Sequence, residues 1–378
     1  MISIMQQLGL PAGFGIILLT LGIIFSISPW IFGVDFGVFK IPKFPDTIRN
    51  RLKWLGPLFL TLAIVLHIPM FRVQGPSLPD KTRIVYIASK SFLESSILAE
   101  MMAIQLEKAI GDRVEIRVIH DYGKTSYLMS ALREGEISIY AEYSGTLLAQ
   151  HLKLPYEQVR DPAKHQPNVL NKLLGDNDKF VDLTVLPNFG FNNSYVVIMT
   201  RKRAKELGLA PKTATISQLA EISQTSPLTY HSTYEFFRRP VGLPGLVDNY
   251  SLRIADDDVC KHKKKYIHLR QGECDITDGY TTDPELTLSD EFFLFADDKN
   301  YFPKYLAMPI VRNDLITLFP KVEDSLSSLG GALTEKDIAQ LIDSVKKQHI
   351  NVEEIQQSNA TRKQLRKIVR EFLIQKSL

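Results

Sequence analysis

The chain opens with two apolar runs that no ordinary globular core requires. From Met1 to Gly33 there is no charged side chain, and Pro11–Gly33 is almost wholly apolar. At ~1.5 Å of rise per residue, a helix over that stretch reaches across a ~30 Å hydrocarbon layer. Trp54–Phe71 is a second run, just long enough to do the same. A cleaved secretory leader is the plainer reading of the first run, but such a leader begins with basic residues and carries a shorter apolar core. A lipid anchor is disfavoured as well, because Cys260 and Cys274, the only cysteines, lie deep in the chain. Two transmembrane helices, about 11–33 and 54–71, are therefore expected within a membrane anchor of residues 1–75. Their connector holds Lys40, Lys43, Arg49, Arg51 and Lys53 against Asp35 and Asp46, and positive connectors stay in the cytoplasm. Everything after about Gly75 is then expected on the extracytoplasmic (periplasmic) side of the cytoplasmic (inner) membrane.

Charge narrows the function. Residues 1–80 carry six Lys/Arg and three Asp/Glu, so the whole formal charge of +3 sits there, and residues 81–378 balance at 39 against 39. A neutral extracytoplasmic part lacks the basic footprint of a nucleic-acid binder. Cys260 and Cys274 are separated by thirteen residues and read as two inert thiols rather than a disulfide, since Cys274 falls in what looks like a buried strand.

The segment Gln74-Gly-Pro-Ser-Leu-Pro-Asp80 is rich in breakers and marks the boundary between anchor and globule. Beyond it short apolar runs alternate with amphipathic ones. Arg83–Ala88 reads as a strand, Phe92–Ile110 as a helix, Val114–Ile119 as a strand and Ser126–Glu134 as a helix. Further strands are expected at Tyr195–Met199, Cys274–Asp278, Phe292–Ala296 and Leu306–Val311, with helices dominating Asn313–Lys376. This alternation predicts parallel, doubly wound α/β sheets with a ligand at the carboxyl ends of strands. Of two charge runs, Ala255–Asp258 (ADDD) reads as a helix start serving the dipole and solvent rather than a metal site. Lys261–Lys265 (KHKKK) reads as a solvated helix face rather than a docking patch.

No glycine-rich phosphate cradle, His-x-x-x-His pair, Cys-x-x-Cys or G-x-S-x-G elbow occurs, and the eight histidines are scattered. No enzyme, cofactor or metal is expected.

Six blocks in order carry a family resemblance: IASKSFLESSILAEMM (Ile87–Met102), GKTSYLMSALREGEISIYAEYSGT (Gly123–Thr146), GFNNSYVV (Gly190–Val197), EFFRRPVGLPGL (Glu235–Leu246), DGYTTD (Asp278–Asp283) and DDKNYFPKYLAMPIVR (Asp297–Arg312). Together they resemble the substrate-binding proteins of osmoprotectant ABC importers for glycine betaine, carnitine and choline, over about Thr82–Leu378. Lys90, Phe92 and Glu94 match the opening motif, whereas Leu93, Ser95 and Val241 depart from the usual Thr, Gln and Asp.

That resemblance implies a two-lobed periplasmic-binding-protein-like fold of type II: one lobe from residues 82–189 plus 302–378, the other from 190–301, joined by two crossing strands. It also implies a box of Tyr143, Tyr195, Tyr280 and Tyr305. The chemistry suits a trimethylammonium group, which is a diffuse cation with no N–H donor and so favours aromatic faces over a directional hydrogen bond. Lys90, Arg239 and Thr146, with Asn193 at the polar face, match the positions that hold a ligand carboxylate. The implied function is the extracytoplasmic binding component of an importer for a quaternary-ammonium zwitterion, working with an ABC permease and its ATPase. Choline or ergothioneine binding, or a membrane-anchored sensor, are the alternatives.

Overall fold

The computed structural model describes residues 84–209, 214–238, 241–260 and 262–378. The expected transmembrane helices at 11–33 and 54–71, and Arg239, lie outside the described residues. Among the described residues, no helix is long and apolar enough to cross a membrane.

Among the described residues, ten strands form two five-stranded sheets. They are β1 (Ile84–Lys90), β2 (Glu115–Gly123), β3 (Ile139–Tyr143), β4 (Leu183–Val185), β5 (Tyr195–Thr200), β6 (Leu228–Ser232), β7 (Ile254–Val259), β8 (Ile276–Tyr280), β9 (Phe292–Leu294) and β10 (Ala307–Arg312). The first sheet runs β2-β1-β3-β10-β4 and the second β7-β6-β8-β5-β9. In each, four strands point the same way and one runs against them: β10 is antiparallel to β3 and β4, and β5 to β8 and β9. The expectation of wholly parallel sheets is corrected at these two strands. Each is the first strand after a segment that passes from one sheet to the other, 186–194 before β5 and 295–306 before β10, so it enters its sheet from the opposite end.

Alternation along the strands decides what each face buries. On β1, Val85 and Ile87 join one core and Ala88 another; on β10, Ala307 and Val311 take the first core, Met308 and Ile310 the second. The same period places Val197 and Met199 of β5 on one face of the second sheet and Val196 and Ile198 on the other. Covering both faces requires helices, which explains why these strands are almost continuously apolar.

The main helices are α1 (Leu93–Ile110), α2 (Thr125–Glu134), α3 (Pro167–Gly175), α4 (Ile216–Thr225), α5 (Leu243–Tyr250), α6 (His262–Gln271), α7 (Glu335–Lys347) and α8 (Asn359–Gln375). α1 is buried nearly all round, under the first sheet and the carboxyl-terminal helices. Its Glu100 takes His120 at 2.9 Å and Arg366 of α8 at 2.9 Å, so its buried carboxylate ties strand, helix and tail together. α7 begins on a reciprocal cap, Thr334 and Asp337 each bonding the other's backbone N–H.

One charge run falls elsewhere than expected, and the other lies on a helix as expected but with one buried lysine. Ala255–Asp258 is not a helix start but part of the edge strand β7, exposed along most of its length. Three charged side chains on an edge that pairs only with β6 discourage another strand from adding there. In the KHKKK run, Lys265 is not solvated: it is fully buried and pairs with Asp278 Oδ2 at 2.9 Å. Cys260 and Cys274 are both free thiols.

Candidate functional site

The site is assembled where the carboxyl end of β1, the ends of β3 and β8 and the two crossing segments converge. The crossing segments run side by side: Phe189 N–H donates to Ala307 O at 2.9 Å, Asn193 N–H to Tyr305 O at 3.1 Å, and Tyr305 N–H to Asn192 Oδ1 at 2.7 Å. Gly190 is required in the first of them. Its φ of +112° is one that side chains rarely adopt, and a Cβ there would sit 2.5 Å from Leu333 O.

Tyr195 and Tyr280 are direct partners across the antiparallel β5–β8 ladder, so both side chains leave the same face of the sheet. Their rings lie 4.9 Å apart, with the hydroxyls at 3.3 Å. Around Tyr195 stand Phe236 at 5.0 Å, Phe302 at 5.9 Å and Tyr305, nearly perpendicular, at 6.4 Å. The structure thus brings three of the four expected tyrosines into one cluster. It adds Phe236 and Phe302, which the sequence blocks contained but whose role only the tertiary contacts disclose.

Tyr143 stands apart from that cluster, against Phe92 at 5.9 Å. Its hydroxyl donates to Glu94 Oε1 at 2.5 Å, and Asn193 Nδ2 donates to the same oxygen at 3.0 Å. The Asn193 Oδ1 atom is buried without a partner. Glu94 lies in the first turn of α1, where the helix dipole favours an anion. Burial nevertheless pushes its carboxyl above the ordinary 4.5, against the hydrogen bonds from Tyr143, Thr282 and Asn193. Glu94 thereby links the end of β3, a crossing segment and Thr282, two residues beyond the end of β8. The opening motif contained Glu94, but nothing in one sequence says that it sits at this junction.

Lys90 is also at the junction, with its Nζ 5.1 Å from the Tyr143 ring centre. Its charge is already matched, however, by a buried ion pair with Glu142. Glu142 further accepts from Tyr140 at 2.9 Å, His151 at 3.2 Å and the Tyr143 backbone N–H at 2.7 Å. Burial raises its pKa, but Lys90 and His151 outweigh burial and hold the carboxyl down to about 2. The second sheet repeats the device. Lys265 lies 5.6 Å from the Tyr280 ring and pairs with Asp278, whose other oxygen accepts from Ser232 at 2.6 Å. Each half therefore places a neutralised lysine beside a site tyrosine.

Thr146 is half-buried in the short helix Ser144–Thr146. Next to it Gly145 lets the return segment close in, since a Cβ would meet Lys304 O at 2.7 Å and the Tyr305 ring at 2.9 Å. Arg239 lies outside the described residues, and Val241, where the loop support departs from the family pattern, is half-buried. A separate surface depression of about 570 Å³ lies between Arg238, Pro244, Val247 and Arg253 and contains none of the tyrosines. The aromatic junction is the stronger candidate, because it joins convergent rings to convergent polar groups.

Comparison with known proteins bears on the family and the fold. Residues 84–358 match the family described as the substrate binding domain of ABC-type glycine betaine transport system. The chain is 28% identical over 240 residues to a glycine-betaine-binding protein of Pseudomonas aeruginosa, covering 62% of this chain and 73% of that protein. It is 24% identical over 285 residues to the carnitine transport binding protein OpuCC of Listeria monocytogenes, covering 75% and 87%. Against the ergothioneine transport permease/ergothioneine binding protein EgtU of Helicobacter pylori it is 26% identical over 285 residues, 75% of this chain but 47% of that protein, so it spans about half the relative's length. A crystal structure of a glycine betaine/carnitine/choline ABC transporter protein shares the fold at a TM-score of 0.63, with 23% identity, covering 77% of this chain and 98% of that one. Apo YehZ from Escherichia coli does so at 0.60, with 19% identity and the same coverage. The two-sheet architecture is thus that of periplasmic binding proteins, and the family is one of solute binding for transport, not of catalysis. With its matched region spanning both sheets, the chain belongs to the family of substrate-binding domains of ABC-type glycine betaine transport systems.

Proposed function

We propose that this chain captures a quaternary-ammonium zwitterion, glycine betaine or a similar N-trimethyl amino acid, between its two sheets and delivers it to a membrane permease driven by a separate ATPase. The observation that carries this reading is the ring cluster centred on Tyr195, with Tyr280 in register opposite and Tyr305 perpendicular to it. Rings at these spacings touch one another, so the cation is assigned to the ring faces the cluster leaves open, each desolvated face contributing on the order of 2 kcal/mol. Tyr143 and Asn193, held together by Glu94, form the polar side of the same cleft. Thr146, Lys90 and Arg239 are assigned to the ligand carboxylate, with Lys90 exchanging Glu142 for the ligand. Lobes of residues 82–189 plus 302–378 and 190–301 close over the bound molecule. Residues 11–33 and 54–71 tether the domain to the extracytoplasmic face of the cytoplasmic membrane.

One observation favours a second reading, choline. Lys90 is already neutralised by Glu142, and Glu94 supplies a carboxyl rather than a cation at the junction. Calorimetry on the full-length chain with betaine, carnitine, choline and ergothioneine separates these ligands. Heat with betaine or carnitine exceeding that with choline supports the zwitterion; choline binding as tightly or tighter supports the second reading. No heat with any of the four contradicts both.

A further inference from the structure

Away from the tyrosines, three metal-ligating side chains from distant parts of the sequence converge. His231 lies on β6, His268 on α6 and Glu273 in the turn between α6 and β8. Their donor atoms all lie within 4.8 Å of one another. His231 Nδ1 is 2.8 Å from His268 Nδ1, and His268 Nδ1 is 3.6 Å from Glu273 Oε2. The two imidazoles are nearly perpendicular, at 78° with ring centres 5.0 Å apart.

Two imidazoles that face each other through the same nitrogen have one proton to share, and a second proton would make them repel. A cation between them uses both lone pairs at once. A tetrahedral Zn²⁺ with bonds of ~2.0–2.1 Å holds its ligand atoms about 3.3 Å apart, a value bracketed by the two spacings just given. A set of two imidazoles and one carboxylate suits a borderline cation such as Zn²⁺ rather than Ca²⁺ or Mg²⁺, which take oxygen ligands. The surroundings hold the set in place. The His231 carbonyl accepts from Thr277 at 2.5 Å, and Asp258 is the register partner of His231 on β7, adding negative charge alongside. Both histidines are half-buried and Glu273 is exposed, which leaves one side open to water.

We propose that His231, His268 and Glu273 form a binding site for a divalent transition metal of the Zn²⁺ class, with three protein ligands and water in the fourth position. The site is separate from the ligand cleft. Bound metal pins α6 to β6, and α6 carries Lys265 one turn earlier, under Tyr280.

The test is a titration of the full-length chain, prepared without a polyhistidine tag, with Co²⁺ and then Zn²⁺. The expected result is a visible absorption band of tetrahedral Co²⁺ that saturates at one ion per chain and is abolished by Zn²⁺. Affinity should fall by at least about ten-fold in Glu273→Gln and in His268→Gln, and stay unchanged in His349→Gln. Because Glu273 is exposed, Glu273→Gln reports on the site even if the histidine variant misfolds. A chain with no saturable band, or Glu273→Gln and folded His268→Gln variants that bind as tightly as the wild type, would overturn the proposal.

Discussion

Glu94 and Glu142 are both buried and both accept a hydrogen bond from Tyr143, yet their surroundings drive them in opposite directions. Glu142 is depressed to about 2 from an ordinary 4.5 by Lys90 and His151 acting against burial. Its contribution to stability is complete above pH 4.5 and is lost as pH falls towards 2. Glu142→Gln leaves Lys90 buried without a counter-charge, at a cost of about 3–5 kcal/mol; urea unfolding at pH 7 measures it, and a loss under about 1 kcal/mol would contradict the pairing. Glu94 is raised instead, chiefly by burial, so the folded chain holds its proton more tightly than the unfolded one. That contribution is present below pH 4.5 and is lost as pH rises through the folded value. Glu94→Gln keeps an acceptor for Tyr143 and Asn193 and removes the buried charge. It should be more stable than the wild type at pH 7 and indistinguishable from it below pH 4.5; a variant less stable at pH 7 would show that the ionised form is the one the fold wants. If the tyrosines hold the cation as proposed, their rings matter more than their hydroxyls. Tyr195→Ala should weaken betaine binding by at least about ten-fold and Tyr195→Phe by far less, and calorimetry showing equal losses would argue against ring faces as the recognition element.

At the scale of elements, the inner strands were legible because they had to be apolar on two faces. The expected runs at Arg83–Ala88, Tyr195–Met199 and Leu306–Val311 fall within a residue or two of β1, β5 and β10. Direction and register were not legible, since they depend on where the chain enters a sheet, and it is register that sets Tyr195 against Tyr280. The charge runs misled for the same reason. Neighbours in sequence suggested solvent, whereas Lys265 finds Asp278 on a strand reached only after the helix ends. ADDD belongs to an edge whose exposure depends on what does not pair with it. His231 and His268, 37 residues apart, offer no spacing signal at all. The turn after β3 supplies a test of close approach. Gly145→Ala drives a methyl into Lys304 O and the Tyr305 ring, so it should cost about 1–3 kcal/mol and displace Tyr305, weakening ligand binding as well. Normal thermal stability together with normal binding in this variant would contradict the packing described.

In the molecule as a whole, the proposed site lies where the two sheets exchange chain, and whatever moves one sheet relative to the other passes through residues 186–194 and 295–306. Tyr156 adds a tie, its hydroxyl donating to Tyr301 O at 2.6 Å. In the closure proposed above, a ligand that touches Tyr143 on one side and Tyr195 and Tyr280 on the other would supply the driving force, because only the closed state would complete both sets of contacts. Hydrogen exchange should therefore slow on adding betaine at the start of α1, in both crossing segments and at the end of β8 together; protection confined to one sheet would indicate binding without closure. The most direct test of the tyrosine cleft is a crystal structure of the chain with glycine betaine bound. The expected result is the trimethylammonium group against the rings of Tyr195, Tyr280 and Tyr305, with the carboxylate turned towards Thr146, Lys90 and Arg239. Betaine seated elsewhere, such as the depression beside Arg238 and Pro244, with those three rings still packed on one another, would contradict the account.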